Sequence, residues 1–364
     1  MKKILLICNE SNPVVNFRKE LIQFLQEREY QISVIAGDSL REKEIRDLGV
    51  DFYCVKFKNR SKNPFGMLKT KQAFQKIVKL IKPDIVFTFQ LKPNILGLPA
   101  ARKAGVVKRF AMVEGIGDPF QPKNFYGRII RTAVSIFYKH SLKYAQKVFF
   151  LNRDDVEEFV SRKIIAADKC LIIPGIGIDT SEYKPDYNLP KEKKVLLLSR
   201  LVKTKGIFDY CDIAREVHKT RPDIIFELYG SEQELKVQDI QPYIDDGSIV
   251  YGGYSTNAKD LIKGARIISS PSYREGFPRN ILEGMALGKT IIATNAVGNR
   301  DAVDDGVNGF LVPIRDIKAY AEKVIEVIDD DERLLQIGKS ARKKCVEEYD
   351  SKIVNLFITN IIDQ

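Results

Sequence analysis

The sequence predicts an α/β protein of two domains, each built on a parallel β-sheet. The chain has 364 residues, enough for two domains of ordinary size, each with a core of its own. Short apolar runs alternate with amphipathic stretches from end to end, which is typical of strands joined by helical crossovers. A Pro- and Gly-rich passage at residues 174–190 interrupts this alternation, so we expect the linker there.

Strand-like runs occur in both halves of the chain. Before the linker they lie at residues 4–8, 32–36, 84–87, 109–113 and 147–151, and after it at 195–199, 224–229, 249–251, 266–270, 290–293 and 310–312. The first run is too short for a signal peptide, and none is long enough to span a membrane. We therefore predict domains at residues 1–185 and 186–345, with a C-terminal helix at 346–364 that crosses back to the first domain.

The charge of the chain is unevenly distributed. The net charge is +11, and residues 1–185 contain 33 Lys and Arg against 19 Asp and Glu, so the whole excess lies in the first half. Between residues 56 and 147, 20 basic residues face three acidic ones. Such an excess indicates an anionic partner. Nucleic acid is the rival anion, but no nucleic-acid-binding module is recognisable, so we expect no such partner.

Neither metal nor histidine chemistry is indicated. The five cysteines are scattered without a paired spacing, which favours reduced thiols in the cytoplasm and disfavours structural zinc. His140 and His218 are the two histidines, and both lie in basic helical stretches. Asp329, Asp330 and Asp331 have the letters of an Asp-x-Asp metal motif, but they precede a helical run and are interpreted as a helix cap. We expect no divalent metal.

One strand-loop-helix junction is suited to a phosphate. The strand at residues 266–270 leads into a loop that contains Glu275, and a helix is predicted to begin near Arg279. Unpaired N–H groups at the start of a helix bind anions. Glu275 would then lie on one side of the phosphate and Glu283, one turn inside the helix, on the other. An ordinary helix with acidic residues nearby is the alternative.

A second junction places two cations at a strand end. Arg200 leaves the strand at residues 195–199, and Lys205 precedes a helix that Gly206 opens. Two fixed cations beside a helix terminus can neutralise a diphosphate leaving group without a metal. A solvated basic loop is the alternative interpretation.

The motifs of the second half, taken in order, resemble those of family 4 retaining glycosyltransferases with the GT-B fold. They are Arg200-Leu-x-x-x-Lys205-Gly206, Glu275-Gly-Phe-Pro with Glu283, Gly177-Ile-Asp179 followed by Tyr183-x-Pro185, and Gly306-x-Asn-Gly309-Phe-Leu-Val. The resemblance implies two Rossmann-like domains whose parallel sheets face each other across a cleft. It also implies roles: Glu283 binds the nucleotide ribose, Arg200 and Lys205 the diphosphate, and Glu275 the donor-sugar hydroxyls. Backbone groups of five consecutive residues would line the phosphate and sugar: Gly276, Phe277, Pro278, Arg279 and Asn280.

The first half resembles a subgroup of these enzymes. Its members, notably N-acetylhexosaminyl transferases, extend polyprenyl-diphosphate-linked sugars in bacterial capsule, O-antigen and protein-glycosylation pathways. The motifs that carry this resemblance are Asn16-Phe17-Arg18, Asn63-Pro64-Phe65 and Val113-Glu114-Gly115-Ile116-Gly117. They make Asn16, Arg18 and Glu114 the candidate acceptor contacts. Glu114 stands where many members of the family have His. One interpretation is that it contacts donor or acceptor hydroxyls, which makes it a catalytic candidate. The other is that it caps a loop.

The resemblance implies a retaining transferase that moves an N-acetylhexosamine from a UDP-sugar to a lipid-linked saccharide in surface-polysaccharide or glycoprotein assembly. The alternative is a non-catalytic sugar-nucleotide-binding subunit of a polysaccharide assembly complex. Residues 67–81 and 126–147 each place apolar side chains on one helical face and Lys or Arg opposite. We therefore expect a cytoplasmic protein held peripherally on the anionic inner face of the cell membrane. The alternative is that these apolar faces pack on the protein's own sheet.

Overall fold

The structure is a computed structural model that describes residues 1–57, 64–117, 120 and 124–364. It divides into two compact units. Unit 1 comprises Met1–Ile176 with Ser351–Gln364, and unit 2 comprises Gly177–Asp350. Each unit has its own parallel sheet and its own helices.

Unit 1 contains a parallel sheet in the order β3-β2-β1-β4-β5-β6-β7 among its described residues. The strands are β1 (Lys3–Ile7), β2 (Gln31–Ala36), β3 (Asp51–Cys54), β4 (Ile85–Phe89), β5 (Lys108–Val113), β6 (Lys147–Phe150) and β7 (Cys170–Ile172). The helices are α1 (Ser11–Phe17), α2 (Lys19–Gln26), α3 (Glu42–Asp47), α4 (Pro64–Ile81), α5 (Leu91–Lys103), α6 (Phe125–Leu142) and α7 (Arg153–Ser161). The central strands are buried along nearly their whole length, as expected where helices cover both faces of a sheet.

Unit 2 contains a second parallel sheet, in the order β10-β9-β8-β11-β12-β13. The strands are β8 (Lys194–Leu198), β9 (Ile225–Tyr229), β10 (Val250–Tyr251), β11 (Ile267–Ser270), β12 (Thr290–Thr294) and β13 (Phe310–Val312). The helices are α8 (Ile207–His218), α9 (Val237–Asp245), α10 (Ala258–Lys263), α11 (Arg279–Ala286), α12 (Asn299–Ala302), α13 (Ile317–Val327) and α14 (Asp331–Glu348), and α15 (Ser351–Asp363) follows in unit 1.

The eleven predicted strands are all present, within one or two residues at each end. The two that were not predicted, β3 and β7, form the two edges of the unit 1 sheet. Edge strands are short and partly exposed, so they lack the continuous apolar run that identified the others. In β3, for example, Phe52 is buried while Asp51 and Cys54 are exposed.

The unit boundaries differ from the predicted ones at residues 185/186 and 345/346. The Ile178 N–H donates to the Tyr349 carbonyl over 2.9 Å, and Arg342 Nη1 donates to the Tyr183 carbonyl over 2.8 Å. These bonds hold the residues directly after Ile176 in unit 2. The predicted linker at residues 174–190 therefore lies partly in unit 1 and partly in unit 2. In α15, Asp363 Oδ1 accepts from Lys2 Nζ over 2.7 Å, which holds the C-terminal helix on unit 1.

The two stretches expected at a membrane, residues 67–81 and 126–147, differ in how closely their structure follows the expectation. In α4, Phe74 and Val78 are fully buried in the unit 1 core, so its apolar face packs on the protein itself. The second stretch is helical only as far as Leu142, because a turn follows and β6 begins at Lys147. Within the described part of the chain, no helix is long and apolar enough to cross a membrane.

Candidate active site

Two loops at the carboxyl edge of the unit 2 sheet, where its strands end, are in direct contact. One follows β8 and the other follows β11. Gly206, which opens α8, has φ +69°, and a Cβ on it would lie 2.1 Å from the Pro271 carbonyl oxygen. Only glycine therefore permits this approach. The Tyr273 N–H also donates to the Thr204 carbonyl over 2.9 Å, so the loops are fixed together.

Lys205 and Glu275, predicted from separate motifs, form an ion pair across these loops. Lys205 Nζ lies 2.6 Å from Glu275 Oε1 and 2.5 Å from Oε2. The Lys205 side chain is 24% exposed and that of Glu275 only 10%. An ammonium group has three N–H donors, so pairing with both carboxylate oxygens leaves Lys205 donor capacity for an anionic ligand.

A third loop supports Glu275, and the sequence analysis did not assign it. The Glu275 N–H donates to the Val297 carbonyl over 2.9 Å. Gly298 has φ +84°, and a Cβ there would lie 2.8 Å from that of Glu275. The available signal was a glycine in the loop that follows a buried strand, in Asn295-Ala-Val-Gly298, since a glycine in such a loop can mark a close backbone approach.

Helix α11 begins at Arg279, as predicted, and no side chain caps its N-terminal end. Pro278 occupies the N-cap in extended conformation, and a proline side chain offers no capping acceptor. The first turn, Arg279-Asn280-Ile281, contains no acidic residue. The first N–H groups of a helix have no carbonyl within it to bond, so this end attracts negative charge. Phe277 supports the loop by packing its ring 5.3 Å from that of Tyr349.

Glu283 is held by two neighbours. Its Oε1 accepts from the Tyr183 hydroxyl over 3.2 Å and from Arg279 Nε over 3.1 Å. Burial, and then the Glu283 charge, raise the pKa of Tyr183 to about 12, so its hydroxyl stays protonated and can donate. Tyr183 lies in the motif Tyr183-x-Pro185, to which the sequence analysis assigns no role. The structure gives it that of orienting Glu283, which remains partly accessible at 14% exposure.

Arg200 follows β8 and is exposed. Its Nη1 donates to Gln233 Oε1 over 3.0 Å, which orients the side chain toward the loop after β9. Gly230 makes this arrangement possible, since a Cβ there would lie 1.8 Å from the Ser199 carbonyl oxygen. A joint contact of Arg200 and Lys205 with one diphosphate stays a prediction.

In unit 1, Arg18 and Glu114 form an ion pair. Arg18 is 2% exposed, and its guanidinium lies 4.3 Å from the centre of the Phe89 ring. Burial lowers the pKa of Arg18 to about 10, so it is still charged at neutral pH. The expected contact between Arg18 and an acceptor is therefore corrected: a side chain this deeply buried supports Glu114 from beneath and offers no surface of its own. Glu114 retains 17% exposure.

Asn16 is separated from Arg18 although the two are close in sequence. Asn16 lies on the exposed side of α1, where its Oδ1 accepts from Arg41 Nη1 over 3.2 Å. The structure therefore does not bring Asn16, Arg18 and Glu114 to one surface. Asn63, in the middle motif, lies outside the described residues.

Gln90, directly after β4, connects three strand ends near Glu114, and the sequence analysis did not identify it. It has φ +70° and ψ 174°, a conformation that is almost restricted to glycine. Its Oε1 accepts from the Asn9 N–H over 3.2 Å, and its own N–H donates to the Met112 carbonyl over 3.2 Å. Gln90 thus joins the ends of β1, β4 and β5 close to Glu114. No sequence pattern predicts this conformation or these contacts.

A cavity of about 1070 Å³ opens beside these strand ends. Its walls come from the ends of β2 and β3 and from α4 and α5, and they include apolar side chains such as Phe57, Met67 and Ile77. Four lysines also line it: Lys56, Lys69, Lys76 and Lys92. The carboxylate among the lining residues, Asp38, already accepts from the Ser11 hydroxyl and from the Leu40 N–H. The cavity is therefore suited to a ligand with an anionic group and an apolar chain.

The three aspartates that spell a metal motif have other partners. Asp329 pairs with Lys193 at 2.9 Å and Asp331 with Arg266 at 2.6 Å. Asp330 accepts from the Arg333 N–H over 2.9 Å and caps α14, which confirms the helix-cap interpretation. Across residues 1–57, 64–117, 120 and 124–364, no group of three or more His, Cys, Asp or Glu side chains is placed to hold a metal ion.

Two parallel-sheet, Rossmann-like units with this site at a strand-loop-helix junction define a glycosyltransferase of the GT-B fold. The solved structure of the Anabaena protein HepE with UDP and glucose has the same fold, with a TM-score of 0.83 at 17% identity over 100% of both chains. Residues 179–344 match the family "Glycosyl transferases group 1" and residues 3–152 match "Glycosyl transferase 4-like". Each half of the chain thus matches a glycosyltransferase family model, which confirms the fold and the enzyme class expected from its motifs.

Two curated relatives align over nearly the whole chain. One is the N,N'-diacetylbacillosaminyl-diphospho-undecaprenol alpha-1,3-N-acetylgalactosaminyltransferase of Campylobacter jejuni, 27% identical over 94% of this chain and 93% of its own length. The other is the UDP-Gal:alpha-D-GlcNAc-diphosphoundecaprenol alpha-1,3-galactosyltransferase of Escherichia coli, 24% identical over 94% and 92%.

Proposed function

We propose that this glycosyltransferase moves an N-acetylhexosamine from a UDP-sugar to a lipid-linked saccharide, with retention at the anomeric carbon, in assembly of a bacterial surface polysaccharide or glycoprotein glycan. The observation that carries the donor half is the Lys205–Glu275 pair just before α11, a helix whose N-terminus no side chain caps. The Campylobacter relative, named as an N-acetylgalactosaminyltransferase, supports the choice of sugar and of acceptor class.

In the donor complex, the diphosphate lies at the start of α11. The helix N–H groups and Lys205 supply donors to its oxygens, and Arg200 adds a second cation. Glu283, oriented by Tyr183 and Arg279, accepts from the ribose hydroxyls. Glu275 accepts from the sugar hydroxyls while it fixes Lys205.

The reaction breaks the bond between the anomeric carbon and the diphosphate oxygen and forms a bond to the acceptor oxygen on the same face. The acceptor's hydroxyl proton passes to the departing diphosphate, so no protein base is required. The main catalytic task is to stabilise negative charge on the leaving group, which fixed donors in a partly buried site do well. Glu114, fixed by Arg18, orients a sugar hydroxyl.

The acceptor half of the proposal rests on the lysine-lined cavity of unit 1. An acceptor of this class carries a diphosphate next to an isoprenoid chain. Lys56, Lys69 and Lys76 provide cations for the diphosphate, and the apolar walls accommodate the first isoprenoid units. The basic excess of the first half would also hold the protein peripherally on the anionic cytoplasmic face of the cell membrane.

A transfer assay separates this enzyme from a non-catalytic sugar-nucleotide-binding subunit. Membrane-extracted lipid acceptors are incubated with a panel of UDP-sugars, chosen first by which of them raises the thermal midpoint. We expect Glu275→Ala and Lys205→Ala to lower turnover at least a hundredfold. Lys203→Ala is the matched control, because Lys203 is an exposed lysine on the same loop. Donor binding without turnover in the wild-type protein would favour the non-catalytic subunit.

The cavity is tested with a pair of charge reversals on α4. Lys69 lines the cavity, whereas Lys79 lies on the same helix, is exposed and is outside the lining. We expect Lys69→Glu to raise the KM for a lipid-linked acceptor at least tenfold, with the KM for the UDP-sugar unchanged. Lys79→Glu should have little effect on either. Equal effects of the two changes would reject the cavity as the diphosphate site.

A further inference from the structure

Helix α6 presents an apolar face to solvent. The exposed fractions are 78% for Phe125, 52% for Ile129, 62% for Ile136 and 47% for Phe137. Successive residues of a helix are rotated by about 100°, so these four positions fall within about 120° of arc. Exposed Ala133 and His140 lie on the same arc. We call this arc the outer face of α6.

The outer face shares only Phe137 with the apolar face that the periodicity indicates, which consists of Ile130, Val134 and Phe137. Val134 packs against the unit 1 core and Tyr138 is buried in it, so the inner side of α6 is already occupied. Arg128 and Lys139 are both exposed and border the outer face on one side. The helix therefore has three sides: one packed on the core, one apolar and exposed, and one basic.

The outer face of α6 begins near the edge of the unit 1 sheet that carries Glu114. A helix that ends shortly before β6 begins has its first turn near the carboxyl edge of the sheet, where Glu114 lies. Helix α4 likewise follows a strand of this sheet, and Leu68 near its start is 54% exposed. Exposed apolar side chains thus accompany the acceptor-side residues of unit 1.

We propose that the outer face of α6 inserts into the anionic bilayer that carries the acceptor, with the helix lying in the plane of the interface. An interfacial helix needs an apolar face beside cationic residues, and α6 has both. This proposal rests on the proposed function, because a lipid-linked acceptor is what brings the protein to a membrane.

A second copy of the chain fits this face less well. An antiparallel two-fold contact through this face would bring Arg128 and Lys139 of one protomer close to the same cations of its partner, and like charges repel. An anionic lipid surface instead offers opposite charge to the basic side of the helix and hydrocarbon to its apolar side.

The proposal is tested by flotation of the whole 364-residue chain with vesicles of 70% phosphatidylethanolamine and 30% phosphatidylglycerol. We expect Phe125→Ser with Ile129→Ser to lower the partition coefficient at least tenfold. The double change Arg128→Glu with Lys139→Glu should lower it by a similar factor at low salt. Tyr254→Ser is the control, since Tyr254 in unit 2 is an aromatic residue of comparable exposure, at 72%.

Vesicle binding of the Phe125→Ser, Ile129→Ser protein equal to that of wild type would overturn the proposal. So would a shift from dimer to monomer in that variant with vesicle binding unchanged, because the face would then bind a second copy. Transfer to a short-chain, water-soluble acceptor in the absence of vesicles should be the same in the variant and the wild type. If the wild type fails to transfer to any acceptor while its vesicle binding depends on the outer face, the proposed function fails and the membrane inference stands.

Discussion

Removing the positive charge beneath Glu114 is expected to destabilise unit 1. In Arg18→Met the replacement keeps an unbranched apolar stem but leaves the Glu114 carboxylate without its ion-pair partner. Breaking a buried pair from one side costs about 3 to 5 kcal/mol. Because Glu114 keeps 17% exposure, we expect the lower part of this range, about 3 to 4 kcal/mol. Loss of the guanidinium over Phe89 adds to this cost.

The assay is a double-mutant cycle with Arg18→Met, Glu114→Gln and the two combined, each measured by urea unfolding. Both single changes leave a poorly solvated group behind, so the double variant should cost about 1 to 3 kcal/mol less than the sum of the singles. Arg18→Lys should be intermediate, because lysine keeps the charge but loses the planar stack on the ring. A cost of Arg18→Met below about 0.5 kcal/mol, or an additive cycle, would refute the buried support of Glu114.

Two further predictions concern unit 2. Gly206→Ala should weaken UDP binding at least tenfold in calorimetry, because the added methyl group collides with the Pro271 carbonyl. Gly247→Ala is the control: Gly247 also has a positive φ but has open space around it, so this change should leave UDP binding unchanged. Equal losses of UDP binding in the two variants would contradict the loop contact. Burial lowers the pKa of Lys289 to about 8 in the folded protein. Between about pH 8 and 10 this lysine is therefore protonated in the unfolded chain but mostly neutral in the folded one. The free energy of unfolding consequently rises with pH through that window. Lys289→Met should therefore be more stable than wild type at pH 7 by roughly 1 to 3 kcal/mol, with the difference shrinking toward pH 10; a difference independent of pH in urea titrations would contradict this.

The fold was predictable where strands are buried on both faces. The runs that became β1, β4 and β8 are continuously apolar because helices cover their sheets, and such runs are visible in sequence. The edge strands β3 and β7 lack that signal. The unit boundary was displaced because it depends on long-range bonds such as that from Ile178 to Tyr349, which composition does not reveal.

The donor-side residues were predictable because their types and spacing carry the chemistry. What the sequence did not contain was their mutual geometry. The pairing of Lys205 with Glu275 depends on two loops separated by about seventy positions, which meet because glycine at position 206 admits the Pro271 carbonyl. The strained backbone of Gln90 is likewise a product of tertiary packing, and no local pattern specifies it.

Helix α6 shows a different limit of sequence reasoning. Periodicity indicates one apolar face, and Val134 does turn toward the core. The second apolar face, with Phe125 and Ile136, became visible only when the solvent-exposed side of the helix was known. The burial of Arg18 was also not predictable from the sequence, because an arginine is ordinarily expected at the surface.

The central claim is retaining sugar transfer from a UDP-sugar to a lipid-linked saccharide. The most direct measurement is the anomeric configuration of the product formed by the wild-type protein, determined by NMR from the coupling constant of the newly linked sugar, together with the UDP released. We predict an α-linked product from an α-configured UDP-sugar, with one UDP per linkage. A β-linked product, or UDP release without a new glycosidic bond, would contradict the claim.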